Sequence, residues 1–345
     1  KVLCYCIFHE KIIHAMANRK EKILVFRFSS MGDVAMTVPV LKEFSEQNPE
    51  TELVIVSRKE YEPFFIGIPN SVFVGIDLNK YKGIWGLRKL ASELALYKPT
   101  LLADLHNVLR TKILKFFLSL SIKKQATLDK GRTEKKALTR KSNKNLHPLR
   151  PMSERYADVF RSLGFSVTLS HQLAVINNKK EKCIGIAPFA KYQEKMYPLD
   201  KMKAICLELA KKGKTVYLFG GGKEEINILS EWENSHPDII SLAGKLPLHK
   251  EMEFIQTLPL LISMDSANMH IASLVGTRVL SIWGATHPFA GFLGYGQNEK
   301  DVIQNELLSC RPCSIFGNKP CYRNDWACMH EIKESEIIKK ITLSL

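Results

Sequence analysis

Apolar and polar positions along the chain fall into short runs that switch between two periods. Lys22 to Phe28, KILVFRF, is strand-like, rich in branched and aromatic residues; SSMGD supplies a turn, and Val34 to Phe44 then carries apolar residues at helical spacing. Pro39 falls early in that helix, where a missing amide costs least. TELVIVS reads as a second strand and YEPFFIG as a helical segment. Val72 to Ile76 and Leu101 to Leu105 read as further strands, with a helix at Lys89 to Tyr97 between them. Ser153 to Leu163 reads as a helix stopped by Gly164. A second series opens with a strand at Cys183 to Phe189 and a helix at Leu199 to Lys212. It continues with a strand at Thr215 to Phe219, a glycine turn at Gly220 to Gly222 and another helix. Strands follow at Ile239 to Leu242, Leu260 to Met264 and Arg278 to Trp283. This rhythm predicts open α/β sheets. The polar NNKKEK run marks a boundary near residues 170–182, giving an N-terminal extension at 1–21, one domain at 22–175 and another at 176–345. Two open sheets of similar size favour ligand binding in a cleft between them.

Composition adds a charge to explain. The 345 residues are 45% hydrophobic and 25% charged, enough apolar material for substantial cores. Fifty basic against 35 acidic residues leave +15, which predicts attraction to nucleic acid, anionic lipid, a phosphorylated substrate or a sugar nucleotide. Ser121 to Arg150 holds ten Lys or Arg and two acids, so this stretch alone carries +8. It reads either as a solvated face or mobile loop, or as a surface that steers an anion. No apolar run reaches the 18 residues of a spanning helix, and the opening KVLCYCIFHEKII lacks a small-residue cleavage site. Eight cysteines in this length are not disulfide-dense, and Cys183 and Cys206 sit in apolar segments as reduced core residues would; a cytoplasmic chain is expected.

Several residues are placed for chemistry. Asp33 follows a strand and a turn, where a carboxylate can take the proton of an attacking hydroxyl, or equally serve as a first-turn helix acid. Lys195 precedes a helix and can set a point charge on a diphosphate, or simply face solvent. Asp265, Ser266, Ala267, Asn268 and His270 end a strand and open a helix, whose free first-turn amides suit an anion. Taken alone, that motif is as readily a helix cap with a packed histidine. Cys310-x₂-Cys313-x₇-Cys321-x₆-Cys328 supplies enough ligands for a structural zinc, although its second half lacks compact Cys-x₂-Cys spacing; reduced packing cysteines or disulfides are the other readings.

FRFSSMGDV, DLHNVLR, KMYP, LFGGGKEE and MDSANMHIASLVGTRVLSIWGATHP form an ordered set that resembles the bacterial lipopolysaccharide heptosyltransferase family, inverting glycosyltransferase family 9. The resemblance covers roughly residues 22–335. It implies a GT-B glycosyltransferase fold of two facing Rossmann-like domains, the first for the acceptor and the second for the nucleotide sugar. It implies ADP-heptose as donor, a phosphorylated lipid A–core acceptor, no cofactor required for catalysis, and a place on the anionic cytoplasmic face of the inner membrane. Residue by residue, it makes Asp33 the general base. Lys195, Gly220, Gly221, Asp265, Ser266, Ala267, Asn268, His270 and Thr286 fall on the donor side. Asp104, His106, Arg110, Arg132, Lys135, Lys136 and Arg140 fall on the acceptor side. Two departures stand out: Tyr197 where relatives commonly carry Trp, and Ala267-Asn268 where glycine or proline is frequent. The competing class is a nucleic-acid-binding protein using the basic segment and the cysteine-rich tail. No RNA-binding sheet motif or helix-turn-helix pattern supports it, so nucleic acid is not an expected partner.

Overall fold

The computed structural model describes residues 21–177 and 179–344; residues 1–20, nearly all of the expected N-terminal extension, lie outside the described residues. The first sheet comprises β1 (Glu21–Phe26), β2 (Thr51–Arg58), β3 (Ser71–Ile76), β4 (Leu101–Asp104) and β5 (Lys124–Thr127). All are parallel, in the order β3-β2-β1-β4-β5. In register, Val25 of β1 lies between Ile55 of β2 and Ala103 of β4. Along this part of the chain come α1 (Met31–Gln47), α2 (Glu62–Phe65), α3 (Gly83–Ala95), α4 (Leu109–Leu118), α5 (Arg132–Leu138) and α6 (Met152–Leu163). The second sheet takes β6 (Cys183–Ala187), β7 (Thr215–Leu218), β8 (Ile239–Ser241), β9 (Leu260–Met264), β10 (Arg278–Trp283) and β11 (Val302–Gln304). It too is parallel, in the order β11-β10-β9-β6-β7-β8. Its helices are α7 (Leu199–Lys211), α8 (Lys223–Glu233), α9 (Leu248–Gln256), α10 (Ala267–Leu274), α11 (Ala327–His330) and α12 (Glu334–Ser344).

The central strands are continuously apolar rather than alternating, because a parallel sheet is covered on both faces. Ile23, Leu24, Val25 and Phe26 of β1 are all fully buried, as are Leu260, Leu261 and Ile262 of β9. Leu24, Phe26, Val54 and Leu102 pack on Leu87, Leu90 and Leu94 of α3 and on Leu114 of α4. On α1 and α6, Phe44 and Phe160 lie ring against ring at 4.4 Å. The second core joins Ile184, Ile186 and Ile262 to Ile205 and Leu209 of α7 and to Ile337 and Ile341 of α12.

Packing assembles two compact units from discontinuous stretches. One holds the described residues up to Phe28 together with 41–128 and 157–168; the other holds 29–40, 129–156 and 169 onward. Much of the basic segment therefore packs with the second sheet's unit. The segment is not a loop throughout. It begins with β5, an edge strand whose sequence KQAT buries only Ala126, and continues into α5, where Lys135 and Leu138 are buried. Charge on an edge strand discourages further pairing, and it also conceals the strand's periodicity. In each sheet the strand order reverses once, between β1 and β4 and between β6 and β9, and the loops leaving those strands are the natural ligand positions.

Candidate active site

The second sheet supplies the floor of a site at its reversal point. At the end of β9 the Asp265 amide donates to the Ile282 carbonyl of β10 at 3.2 Å, which fixes the turn. Ser266 is extended (φ −142°) and makes no side-chain cap, so no side chain of its own quiets the first-turn amides of α10. A helix start of this kind favours an anion through its exposed N–H groups and its dipole. From the loop after β6, Lys195 reaches across so that its Nζ sits 2.8 Å from Asp265 Oδ2, with both side chains largely buried. A desolvated pair is rigid, and it holds the ammonium beside the helix start. Gly317 has φ +74°, and a Cβ there would collide with the Lys195 stem, so only glycine lets the tail pass over it.

The SSMGD turn joins the same site. Residues 29–40 belong to the second compact unit, and Gly32 explains their close approach: a Cβ at that position would stand 3.0 Å from His270 Cδ2 and 3.3 Å from Ala267 Cα. Asp33, in the first turn of α1, accepts hydrogen bonds on Oδ2 from the Ser30 amide at 3.2 Å and the Ser30 hydroxyl at 2.7 Å. Those bonds orient the carboxylate. Asp33, Lys195, Asp265, Ser266, Asn268 and His270 line one cavity of about 480 Å³, with Phe189, Phe292 and Phe316 as apolar walls. Burial holds the His270 imidazole down at about 4, against the pull of Asp265 and Asp33 and with Lys195 adding to the fall. Its Nδ1 has no hydrogen-bond partner. His270 is thus a neutral polar group facing a pocket, not a cation.

Lys135 is the unexpected neighbour. It is 6% exposed, with Nζ 3.1 Å from Met152 Sδ and 4.4 Å from the centre of the Phe292 ring, whose side chain walls the cavity. Burial, then the Arg155 charge, push its ammonium down to about 8, while Asp33, Glu134 and Asp129 oppose the shift. Arg155 is itself buried, 3.4 Å from Asp129 and ion-paired to Glu134.

The remaining expected residues are more dispersed. Gly220 and Gly221 follow β7 without lining the cavity, but the Gly221 amide donates to Glu225 Oε2 at 2.8 Å and Glu225 does line it. Thr286 is buried with no partner for its hydroxyl, and its carbonyl accepts from Arg311 at 3.0 Å. In the first unit, Asp104 is fully buried and lies 3.2 Å from Lys115 Nζ. It also accepts from the amides of His106 and Asn107 at 3.1 and 2.8 Å, so it holds the turn after β4. His106 stands edge-on to Phe28 at 5.7 Å, and Arg110 is half-buried on α4. Arg132, Lys136 and Arg140 are exposed on and after α5.

Glu225, the three phenylalanine walls and Arg311 carry no sequence signal that separates them from core or surface residues. Arg311 donates to the carbonyls of Trp283, Thr286 and Asn305 at 2.8–3.0 Å and ties the ends of β10 and β11. Cys310, Cys313, Cys321 and Cys328 all border one very small enclosed cavity of about 20 Å³, and all four are free thiols. Burial raises Cys313 and pushes Cys328 up to about 12. Among the described residues no group of three or more His, Cys, Asp or Glu side chains is set to hold a metal ion.

The family model of Glycosyltransferase family 9 (heptosyltransferase) matches residues 88–315. Lipooligosaccharide heptosyltransferase 2 of Campylobacter jejuni subsp. jejuni serotype O:6 is 23% identical over 326 residues, covering 93% of this chain and 98% of its own. The glycosyl transferase family 9 structure from Veillonella parvula superposes with a TM-score of 0.72 at 17% identity, over 94% of this chain and 97% of that one. The E. coli ADP-heptose lps heptosyltransferase II structure superposes with a TM-score of 0.68 at 16% identity, over 94% and 98%. The fold is that of the GT-B glycosyltransferases.

Proposed function

The chain belongs to glycosyltransferase family 9, the heptosyltransferases, and from that premise we propose that it moves heptose from ADP-heptose to a phosphorylated lipid A–core acceptor with inversion of configuration. Glycosyl transfer in lipopolysaccharide core synthesis is the family's chemistry; the donor, the stereochemistry and the residue roles are the reading advanced here. The observation that carries it is one cavity in which an oriented carboxylate, a buried lysine and an uncapped helix start are assembled.

Asp33 takes the proton of the attacking acceptor hydroxyl. The oxygen's electron pair forms a bond to the anomeric carbon as the bond from that carbon to the ADP phosphate oxygen breaks. The departing pair becomes phosphate charge, which the Lys195 ammonium and the first-turn amides of α10 are set to receive. Asp265 holds Lys195 in place, and neutral His270 offers a hydrogen-bonding atom to donor or sugar without adding charge. Lys135, with Arg132, Lys136 and Arg140, serves acceptor phosphates, while Arg110 and His106 form the acceptor side of the first domain and buried Asp104 holds the turn that carries them. Gly220, Gly221 and Thr286 stay on the donor side. The enzyme works from the cytoplasmic face of the inner membrane, and among the described residues no helix is long and apolar enough to cross it.

Catalysis in this scheme requires no cofactor. For the tail, a structural zinc on Cys310, Cys313, Cys321 and Cys328 would require the four thiols, which border one small space without forming a ligand set, to rearrange around the ion. Metal analysis of purified protein, with release on thiol modification, tests it. The donor is tested by titrating ADP-, UDP-, GDP- and dTDP-sugars into the protein. Tight binding of ADP-heptose alone supports the narrow reading, and preference for another base removes it.

A further inference from the structure

The first unit carries a surface that neither catalysis nor its own core uses. Helix α4 buries Thr111, Leu114 and Leu118, yet its opposite face is also apolar. Leu109 is 74% exposed, Phe116 75% and Leu120, just past the helix end, is wholly exposed. These positions, at i, i+7 and i+11 with half-buried Ile113 at i+4, fall on one stripe. A soluble surface seldom lines up three large apolar side chains of this exposure on one stripe without a partner.

The surrounding charge says what covers it. Between Asp104 and Asp129 the chain has five Lys or Arg residues, Arg110, Lys112, Lys115, Lys123 and Lys124, and no acid. Lys112 and Lys123 are exposed. A second copy docked through this stripe by a two-fold axis would bring like charges together with no acid from residues 105–128 to answer them. An anionic bilayer answers both features, since apolar side chains enter the acyl boundary while lysines meet the headgroups.

We infer that the outer face of α4 is the membrane-docking surface of this enzyme, with Leu109, Phe116 and Leu120 entering the lipid and Lys112 and Lys123 at the headgroups. This rests on the reading of a lipid-borne acceptor, and it moves the point of contact from the helix of the basic segment to α4 and the first residues of that segment. That segment's helix turns Lys135 inward and leaves no exposed apolar side chain among Arg132–Leu138.

The test is co-sedimentation of the full chain with phosphatidylcholine vesicles, with and without phosphatidylglycerol. Wild type partitions onto the anionic vesicles and far less onto neutral ones. Phe116→Ser/Leu120→Ser and Lys112→Glu/Lys123→Glu each lower that partition by on the order of ten-fold, the second also flattening its salt dependence. Both keep the wild-type melting temperature and the wild-type rate on a deacylated, water-soluble core acceptor. Undiminished vesicle binding by the Phe116/Leu120 variant overturns the inference. So does a wild-type dimer in light scattering that the same variant turns into a monomer while vesicle binding persists. If the variants lose binding but wild type transfers to no core acceptor, the docking surface stands and the acceptor reading fails.

Discussion

Replacing Lys135 with Met makes the folded protein more stable and the enzyme worse. Lys135 keeps a charge in a site that is 6% exposed, against a thioether and an aromatic ring. The descent of its ammonium from 10.5 to about 8 comes first from desolvation and then from Arg155. At pH 7 the group is charged in both folded and unfolded chains, and the depressed value means that folding costs about 3 kcal/mol there. Methionine fills nearly the same volume without that cost, but gives up a cation–π contact of about 1 kcal/mol. The expected net gain is about 2 kcal/mol at pH 7, or roughly 4–8 °C in melting temperature. The sign of its pH dependence follows from a lowered folded value: as pH climbs from 8 toward 10.5, the folded lysine is neutral first, and wild type recovers stability. By pH 10 the cost falls below about 1 kcal/mol and the two proteins melt together. Urea and thermal unfolding of both at pH 7 and pH 10 measure this directly. In transfer assays the variant loses efficiency with a phosphorylated acceptor and binds donor normally. A variant destabilised at pH 7, or one whose difference from wild type is the same at both pH values, means that Lys135 is not a desolvated cation in the fold.

Three further outcomes follow from the site. Gly32→Ala puts a methyl group 3.0 Å from His270 and 3.3 Å from the α10 backbone; it should cost about 1–3 kcal/mol and depress turnover, read by melting and steady-state rates. Lys195→Met should raise the donor KM and lower kcat together, and it should destabilise the fold because Asp265, 8% exposed, is left as an uncompensated charge. His270 is held neutral with a value near 4 against 6.5, so wild type loses stability as pH falls from 6.5 through 4, where the unfolded chain takes the proton first. His270→Gln should flatten that acid limb in unfolding experiments, leaving a residual slope from His287, which burial depresses in the same way.

What was legible in the sequence was legible for physical reasons. Doubly covered strands such as β1 and β9 carry apolar runs, ILVF and LLI, so they announce themselves. The turns that leave them, SSMGD and DSAN, taken alone fit a helix start as readily as a site, and only the ordered set of motifs points them at chemistry. By contrast β5 is KQAT and α5 begins RTEKK, polar on nearly every position, and tertiary packing rather than periodicity makes them an edge strand and a helix. The site's walls were hidden because Phe189, Phe292 and Phe316 look like any core aromatic until a cavity exists. Glu225 is a first-turn helix acid by sequence, and only the fold turns it toward the pocket. In the sequence Lys135 is one lysine of a basic run, and the resemblance sets it on the acceptor side with its neighbours. Its burial beside Phe292, which sets it apart from Lys136, depends on a helix the run does not display.

Asp33 is proposed as the base of a single displacement, and Asp33→Asn removes that base while leaving the turn in place. Asparagine can still accept from Ser30, so the turn and the donor cavity persist while the proton acceptor is gone. Measured on one preparation, the variant should bind ADP-heptose with wild-type affinity and transfer heptose to the core acceptor about 10²–10⁴-fold more slowly. Transfer at the wild-type rate, or loss of donor binding in step with loss of transfer, contradicts the assignment.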